Sequence, residues 1–206
     1  MSQKLLKGTF ILTLGTIISK ALGLFYVIPF NMIVGKQGTV LYQYSYVAYT
    51  IVISIATAGI PLAVSKFISK YNAMGEYKVG RRLFKSGLLI MLSTGVLSFI
   101  ALYLIAPILA NVIISDDDLT STVSQVTTVI RAVSFALIVV PFMSLIRGFF
   151  QGHNAMTPSA VSTVMEQIVR IIFLLGGSAF VLFVIKGKLT TAVSVSVFAA
   201  FIGALG

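Results

Sequence analysis

Residues 87–114 read GLLIMLSTGVLSFIALYLIAPILANVII, a run without a single charged side chain. Coiled as a helix at about 1.5 Å per residue, it reaches about 42 Å, more than the roughly 30 Å hydrocarbon layer of a bilayer. The other spanning structure, a closed barrel, needs period-2 alternation in segments of about ten residues. Runs such as Ile51 to Ile55 and Phe180 to Ile185 do not alternate. Working outward from 87–114, comparable apolar stretches occupy about 8–33, 43–64, 123–145, 158–185 and 190–206. The expectation is an all-α polytopic membrane protein with about six transmembrane helices. Composition agrees: 58% hydrophobic residues, 10% charged residues and a mean hydropathy of +1.05 stand far from soluble domains.

The same composition excludes several chemistries. The absence of cysteine removes disulfide frameworks, thiolate metal sites and cysteine nucleophiles. One histidine, His153, and five acids supply too few donors for a metal cluster, so no metal and no cofactor are expected. No nucleophile, base and orienting group can be assembled, so no enzyme is expected. The net charge of +10 suggests loops held beside an anionic leaflet rather than nucleic acid.

Loops and charges set the expected topology. The first span is too long for a signal peptide and ends Pro29-Phe30-Asn31 without a small-residue cleavage site. Tyr42, Tyr44, Tyr46 and Tyr49 open the second span, where amphipathic rings suit headgroup level, and Pro61 is expected to kink its inner end. A basic loop follows, with Lys66, Lys70, Lys78, Arg81, Arg82 and Lys85 against Glu76. Asp116-Asp117-Asp118 forms an acidic turn, Thr157 and Pro158 suit the N-cap and first turn of the fifth span, and Lys186-Gly187-Lys188 is a tight turn. With the N-terminus cytoplasmic, nine cations (Lys4, Lys7, Lys66, Lys70, Lys78, Arg81, Arg82, Lys85, Arg147) lie inside and three (Lys36, Lys186, Lys188) outside. That bias is the one the positive-inside rule requires. The chain ends at Gly206 within an apolar stretch, so residues 1–206 are expected to be a single lobe cut off at its C-terminus.

Lys20, Arg131 and Arg170 remain, all assigned to the bilayer, where a charge costs at least about 2.5–3.5 kcal/mol and marks a functional position. Lys20 lies about 18 Å along the helix from Gly8, near the midplane. Thr9, Thr13, Thr16, Lys20 and Asn31 share one polar stripe, and Gly8, Gly15, Ser19 and Gly23 form a small-residue stripe suited to close helix packing. Glu166 and Arg170 stand i, i+4 and can pair on their own helix, with Ser159, Ser162 or Thr163 extending the polar face. Arg170 is again about 18 Å from the start of its span, so the first and fifth spans are expected to face one aqueous cavity. Arg131 is closer to its interface, within snorkelling reach. His153 reads as a solvated loop residue, and Met91, Met143, Met156 and Met165 as gap-filling core. The structural alternative for Lys20 and Arg170 is pairing with a carboxylate. Lys20, Arg131 and Arg170 against Glu166 leave a net +2 in the bilayer. The cavity should therefore prefer an anion such as the phosphate or pyrophosphate of a lipid-linked headgroup.

Three segments carry a resemblance: Gly15 to Gly23 (GTIISKALG), Ala58 to Lys66 (AGIPLAVSK) and Arg147 to Arg170 (RGFFQGHNAMTPSAVSTVMEQIVR). They resemble the MurJ/MviN lipid flippase family, the last segment its Gram-positive polysaccharide-biosynthesis and spore-wall exporter branch. The resemblance implies about fourteen helices in two lobes around a cavity worked by alternating access, of which this chain is most of the N-terminal lobe. It implies a bacterial plasma-membrane protein, with membrane lipids and an anionic lipid-linked saccharide as partners. The substrate it implies is lipid II, the undecaprenyl-pyrophosphate-linked peptidoglycan precursor, moved from inner to outer leaflet. Lys20 matches the family's first-helix basic position. Tyr26 stands where Gram-negative members often carry an arginine, a role we assign in part to Arg170 and Glu166. The competing readings are export of another lipid-linked oligosaccharide or polysaccharide unit, a multidrug exporter of the same superfamily, and a membrane scaffold. A cationic-drug cavity would call for acids, and a scaffold leaves Lys20 and Arg170 unexplained.

Overall fold

The computed structural model describes residues 3–114 and 122–205, and among them no strand occurs. The helices are α1 (Gln3–Phe25), α2 (Val27–Ala56), α3 (Ile60–Ala73), α4 (Tyr77–Ile113), α5 (Val123–Ser134), α6 (Ala136–Gly152), α7 (Met156–Ala179), which ends in a π-helical turn (Phe180–Val184), and α8 (Leu189–Leu205). Four helical stretches, Leu6–Ala73, Tyr77–Ile113, Val123–Gly152 and Met156–Val184, are long and apolar enough to cross a membrane, and α8 adds a shorter apolar helix. The chain is a multi-pass membrane protein. The expected acidic turn, Asp116 to Asp118, lies outside the described residues.

Leu6–Ala73 is two legs rather than one rod. Its backbone leaves the helix at Gly35, with φ 69° and ψ −178°, a conformation open to a residue without Cβ. Eight helical residues advance about 12 Å. Yet Thr39 Oγ1 donates to Asn31 Oδ1 at 3.0 Å, so the chain turns back on itself between them. The second leg bends again where Gly59, at φ 71°, leads into α3. Pro61 falls in the first turn of α3, where a missing N–H costs little, so the bend precedes the proline expected to cause it.

Glycine contacts give the direction of each leg. A Cβ on Gly148 would stand 2.6 Å from Pro61 O, and one on Gly152 2.8 Å from Ser65 O, so α6 runs parallel to α3 at backbone contact. Gly87 meets Leu145 while Gly95 meets Leu137 O, so α4 is antiparallel to α6. Gly177 meets Val195 while Gly203 meets Glu166 O, so α8 is antiparallel to α7. The legs therefore alternate in direction. One end gathers the turns after α3 and α6, and the other gathers Gly35 and the Ile185–Lys188 turn.

Lys66, Lys70, Lys78, Arg81, Arg82 and Lys85 all sit at the first end, and Lys36, Lys186 and Lys188 at the second. The basic stretch is not a loop. α3 continues to Ala73, α4 starts at Tyr77, and the connection is Met74-Gly75-Glu76. Helices leaving the bilayer have no reason to unwind when water receives their charges, and Lys70 in the last turn of α3 favours the helix dipole there. α7 likewise starts at Met156 rather than after a Thr157 cap, because Asn154 in the left-handed region (φ 57°) closes the turn after α6. Pro158 still falls in the first turn.

The core lies where α2, α4, α5, α6 and α8 meet, around Leu41, Tyr49, Leu102, Ile130, Leu137 and Val197. A smaller cluster joins Phe30 and Val34 to Leu174 and Ala199, and another joins Val64 and Ile68 to Met91 and Leu145. α1 stays outside these clusters and packs on α7.

Candidate functional site

The small-residue stripe of α1 is its seam with α7. A Cβ on Gly8 would lie 2.8 Å from Met156 Cγ, one on Gly15 3.0 Å from Ala160 Cβ, and one on Gly23 3.2 Å from Gln167 Nε2. Both number series rise together, so the helices are parallel, and small residues let their backbones approach. Lys20 lies fourteen residues from Leu6 and fifteen from Gly35, and Arg170 fourteen from Met156 and fourteen from Val184. Each is therefore midway along its leg. Parallel packing in this register sets Lys20 level with about Val164, so Arg170 lies about one and a half turns, roughly 8 Å, nearer the Gly35 end.

They line one cavity of about 420 Å³, with Ser19, Gly23, Leu24 and Tyr26 of the first leg, Tyr42 and Tyr46 of α2, and Gln167 of α7. The cavity occupies the space where the two legs from Gly35 splay apart. Tyr26 and Tyr42 span that gap, their hydroxyls 3.3 Å apart. Thr13, Thr16, Lys20 and Asn31 of the expected polar stripe are all exposed, and none of the threonines lines the cavity. Thr13 and Thr16 donate to the Thr9 and Leu12 carbonyls at 2.9 Å, and Asn31 is taken by Thr39.

Glu166 and Arg170 pair as their spacing predicts, Arg170 Nη2 donating to Glu166 Oε1 at 2.6 Å. The other carboxylate oxygen binds Arg147 of α6, a residue assigned from sequence to a cytoplasmic loop. Arg147 Nε also donates to Ser162 Oγ at 3.3 Å, and Ser159 Oγ donates to the Arg147 carbonyl at 3.1 Å. The side chains of Arg147, Glu166 and Arg170 are 21%, 14% and 17% exposed. One carboxylate is thus shared by two guanidinium groups. Arg170 keeps a buried Nε without a hydrogen-bond partner while lining the cavity. The net +2 expected in the bilayer counted Lys20, Arg131 and Arg170 against Glu166; around this carboxylate it is Arg147 that joins Arg170, with Lys20 on the same cavity.

Arg131 is elsewhere. Its guanidinium stacks on the Tyr103 ring at 4.9 Å, and its Nε donates to the Tyr103 carbonyl at 3.4 Å. Pro107, four residues on, has no N–H for that carbonyl, so Arg131 occupies an acceptor that the helix leaves open. His153 is exposed, with Nδ1 2.9 Å from the Phe149 carbonyl. Among the described residues, no group of three or more His, Cys, Asp or Glu side chains stands together.

Sequence reasoning missed Arg147 as a partner, Gln167 as a lining residue, and the tyrosines as cavity walls. Tyr49 is 5% exposed in the core, while Tyr42 and Tyr46 face Lys20 and Arg170 rather than headgroups. The signal was their spacing: 42, 46 and 49 follow i, i+4, i+7 on a single helix face.

A family model described as polysaccharide biosynthesis protein matches residues 5–206. Over 207 aligned residues the chain is 54% identical to the lipid II flippase MurJ of Bacillus subtilis (strain 168), covering 100% of this chain and 38% of that protein. It is 30% identical to stage V sporulation protein B of the same organism over 172 residues, 82% of this chain and 31% of the relative. The fold resembles a MOP superfamily transporter from Pyrococcus furiosus with a TM-score of 0.73 at 12% identity, covering 97% of this chain and 43% of that one. The chain therefore spans less than half of the length of the proteins it matches.

Proposed function

The chain belongs to the polysaccharide biosynthesis protein family, and on that premise we propose that it forms one lobe of a transporter for an undecaprenyl-pyrophosphate-linked cell-wall precursor. The cargo is lipid II, carried from the inner to the outer leaflet of the bacterial plasma membrane by alternating access. One observation carries the reading: Lys20 and Arg170, from two parallel helices, line one cavity halfway along their legs. Cations kept in a bilayer are expensive, and those that face a cavity mark substrate paths. Lysine and arginine grip phosphate through charge-assisted hydrogen bonds, and a second lobe supplies the opposite wall. The 54% identity to a lipid II flippase supports this choice among lipid-linked saccharides.

In this reading the cavity moves its ligand without transforming it. The end rich in Lys66 to Lys85 faces the cytoplasm with the N-terminus, as the asymmetry of basic residues requires. The test is leaflet translocation by the complete transporter. Lys20→Arg should retain substantial activity, whereas Lys20→Gln and Arg170→Gln should abolish it at normal membrane levels. Active, normally inserted Lys20→Gln and Arg170→Gln variants would refute the assignment.

A further inference from the structure

The cavity has a second chemistry that phosphate binding leaves unused. Tyr42 and Tyr46 stack with ring planes 11° apart and centroids at 5.9 Å. Tyr42 is fixed from behind by Phe30, edge-on at 5.0 Å, and from the side by the Tyr26 hydroxyl at 3.3 Å. Tyr46 is 40% exposed and forms the open face of this stack in the cavity that it lines with Lys20 and Arg170. A rigid aromatic plane with phenolic hydroxyls at its rim, beside two cations, is complementary to a ligand of matching duality. That ligand has phosphates for the cations and, next to them, a ring with an apolar face and polar edges. A pyranose meets the second description: its C–H groups form one face and its hydroxyls lie on the rim.

We propose that Tyr46, backed by Tyr42, is a specificity-determining residue that receives the first sugar ring of the lipid diphosphate, while Lys20 and Arg170 hold the phosphates. This rests on the transport reading and adds to it a place for the sugar. Tyrosine suits the task because it offers a large contact area, a polar rim and only two side-chain torsions to immobilise. The stack on Tyr42 removes most of that freedom before the ligand arrives, which is how a preorganised wall gains affinity.

The experiment compares two probes on the complete transporter in nanodiscs: a short-chain prenyl diphosphate and the same molecule bearing one N-acetylhexosamine. Tyr46→Leu, which keeps apolar bulk but loses the ring, should weaken the sugar-bearing probe about tenfold and leave the sugar-free probe within about twofold. Tyr46→Phe keeps the ring and should stay close to wild type for both. Lys20→Gln should weaken both probes alike. Equal loss of both probes in Tyr46→Leu, or no loss of either, would overturn the sugar assignment while leaving the cation assignment standing. A wild-type protein that binds neither probe would instead sink the diphosphate-lipid reading, and this inference with it.

Discussion

Arg131 Nε donates to the carbonyl of Tyr103, the acceptor that Pro107 deprives of its helical partner, and the same guanidinium covers the Tyr103 ring. The residue ties α5 to α4 at a proline defect, away from the cavity that holds Lys20. Losing this exposed hydrogen bond together with the cation–π contact costs about 1–2 kcal/mol. Arg131→Gln should therefore lower the melting temperature in nanodiscs while leaving prenyl diphosphate affinity unchanged. The cost should shrink in a Pro107→Ala background, where an N–H returns to the Tyr103 carbonyl. A purely cargo-binding Arg131 would show the opposite: weakened affinity and an unshifted melt.

Glu166 serves two arginines, which makes its variants unequal. Removing Arg170 leaves the carboxylate paired with Arg147, whereas removing Glu166 strands two guanidinium groups in a largely buried setting. Breaking a fully buried pair costs about 3–5 kcal/mol, and the partial exposure here scales that to about 1–3 kcal/mol. Glu166→Gln should lower folded yield and melting temperature more than Arg170→Gln does. Equal melts for the two variants would contradict the shared-carboxylate arrangement.

The α1–α7 seam tolerates little added volume. Gly15 faces Ala160 at a distance where a new Cβ would be 3.0 Å from another Cβ and 3.2 Å from backbone. Gly15→Leu should push α1 from α7, at an overpacking cost of about 1–3 kcal/mol. The register of Lys20 against Arg170 should be lost with it. Diphosphate binding should fall even though no cavity residue has changed. If Gly15→Leu bound normally, the seam would not be what sets the register.

Topology can be tested cleanly because the chain has no native cysteine. A cysteine at Lys78 should be shielded from an impermeant thiol reagent in intact cells, and one at Lys36 should react. The reverse pattern would invert the proposed orientation.

Much of this was legible in one dimension because a bilayer imposes one-dimensional rules. Hydrocarbon tolerates no unpaired backbone, so uninterrupted apolar runs had to be helices, and charge asymmetry follows from the cost of moving cations across lipid. Glycine spacing in α1 announced a close seam, and the four-residue spacing of Glu166 and Arg170 announced their contact, since both relations live on one helix. The partner of a helix face is a different kind of fact. Arg147 and Glu166 lie nineteen positions apart on separate helices, and no periodicity links them. Arg131 read as a possible cargo contact until the fold set it against a carbonyl freed by a proline on α4. The tyrosines of α2 read as an interfacial belt, because composition cannot tell a ring facing headgroups from one facing a cavity. That distinction was made only when the chain reversed at Gly35 and its two legs splayed, placing Tyr42 and Tyr46 opposite Lys20 and Arg170. Sequence periodicity thus determined which faces were polar, small or apolar, and long-range packing decided which of those faces met.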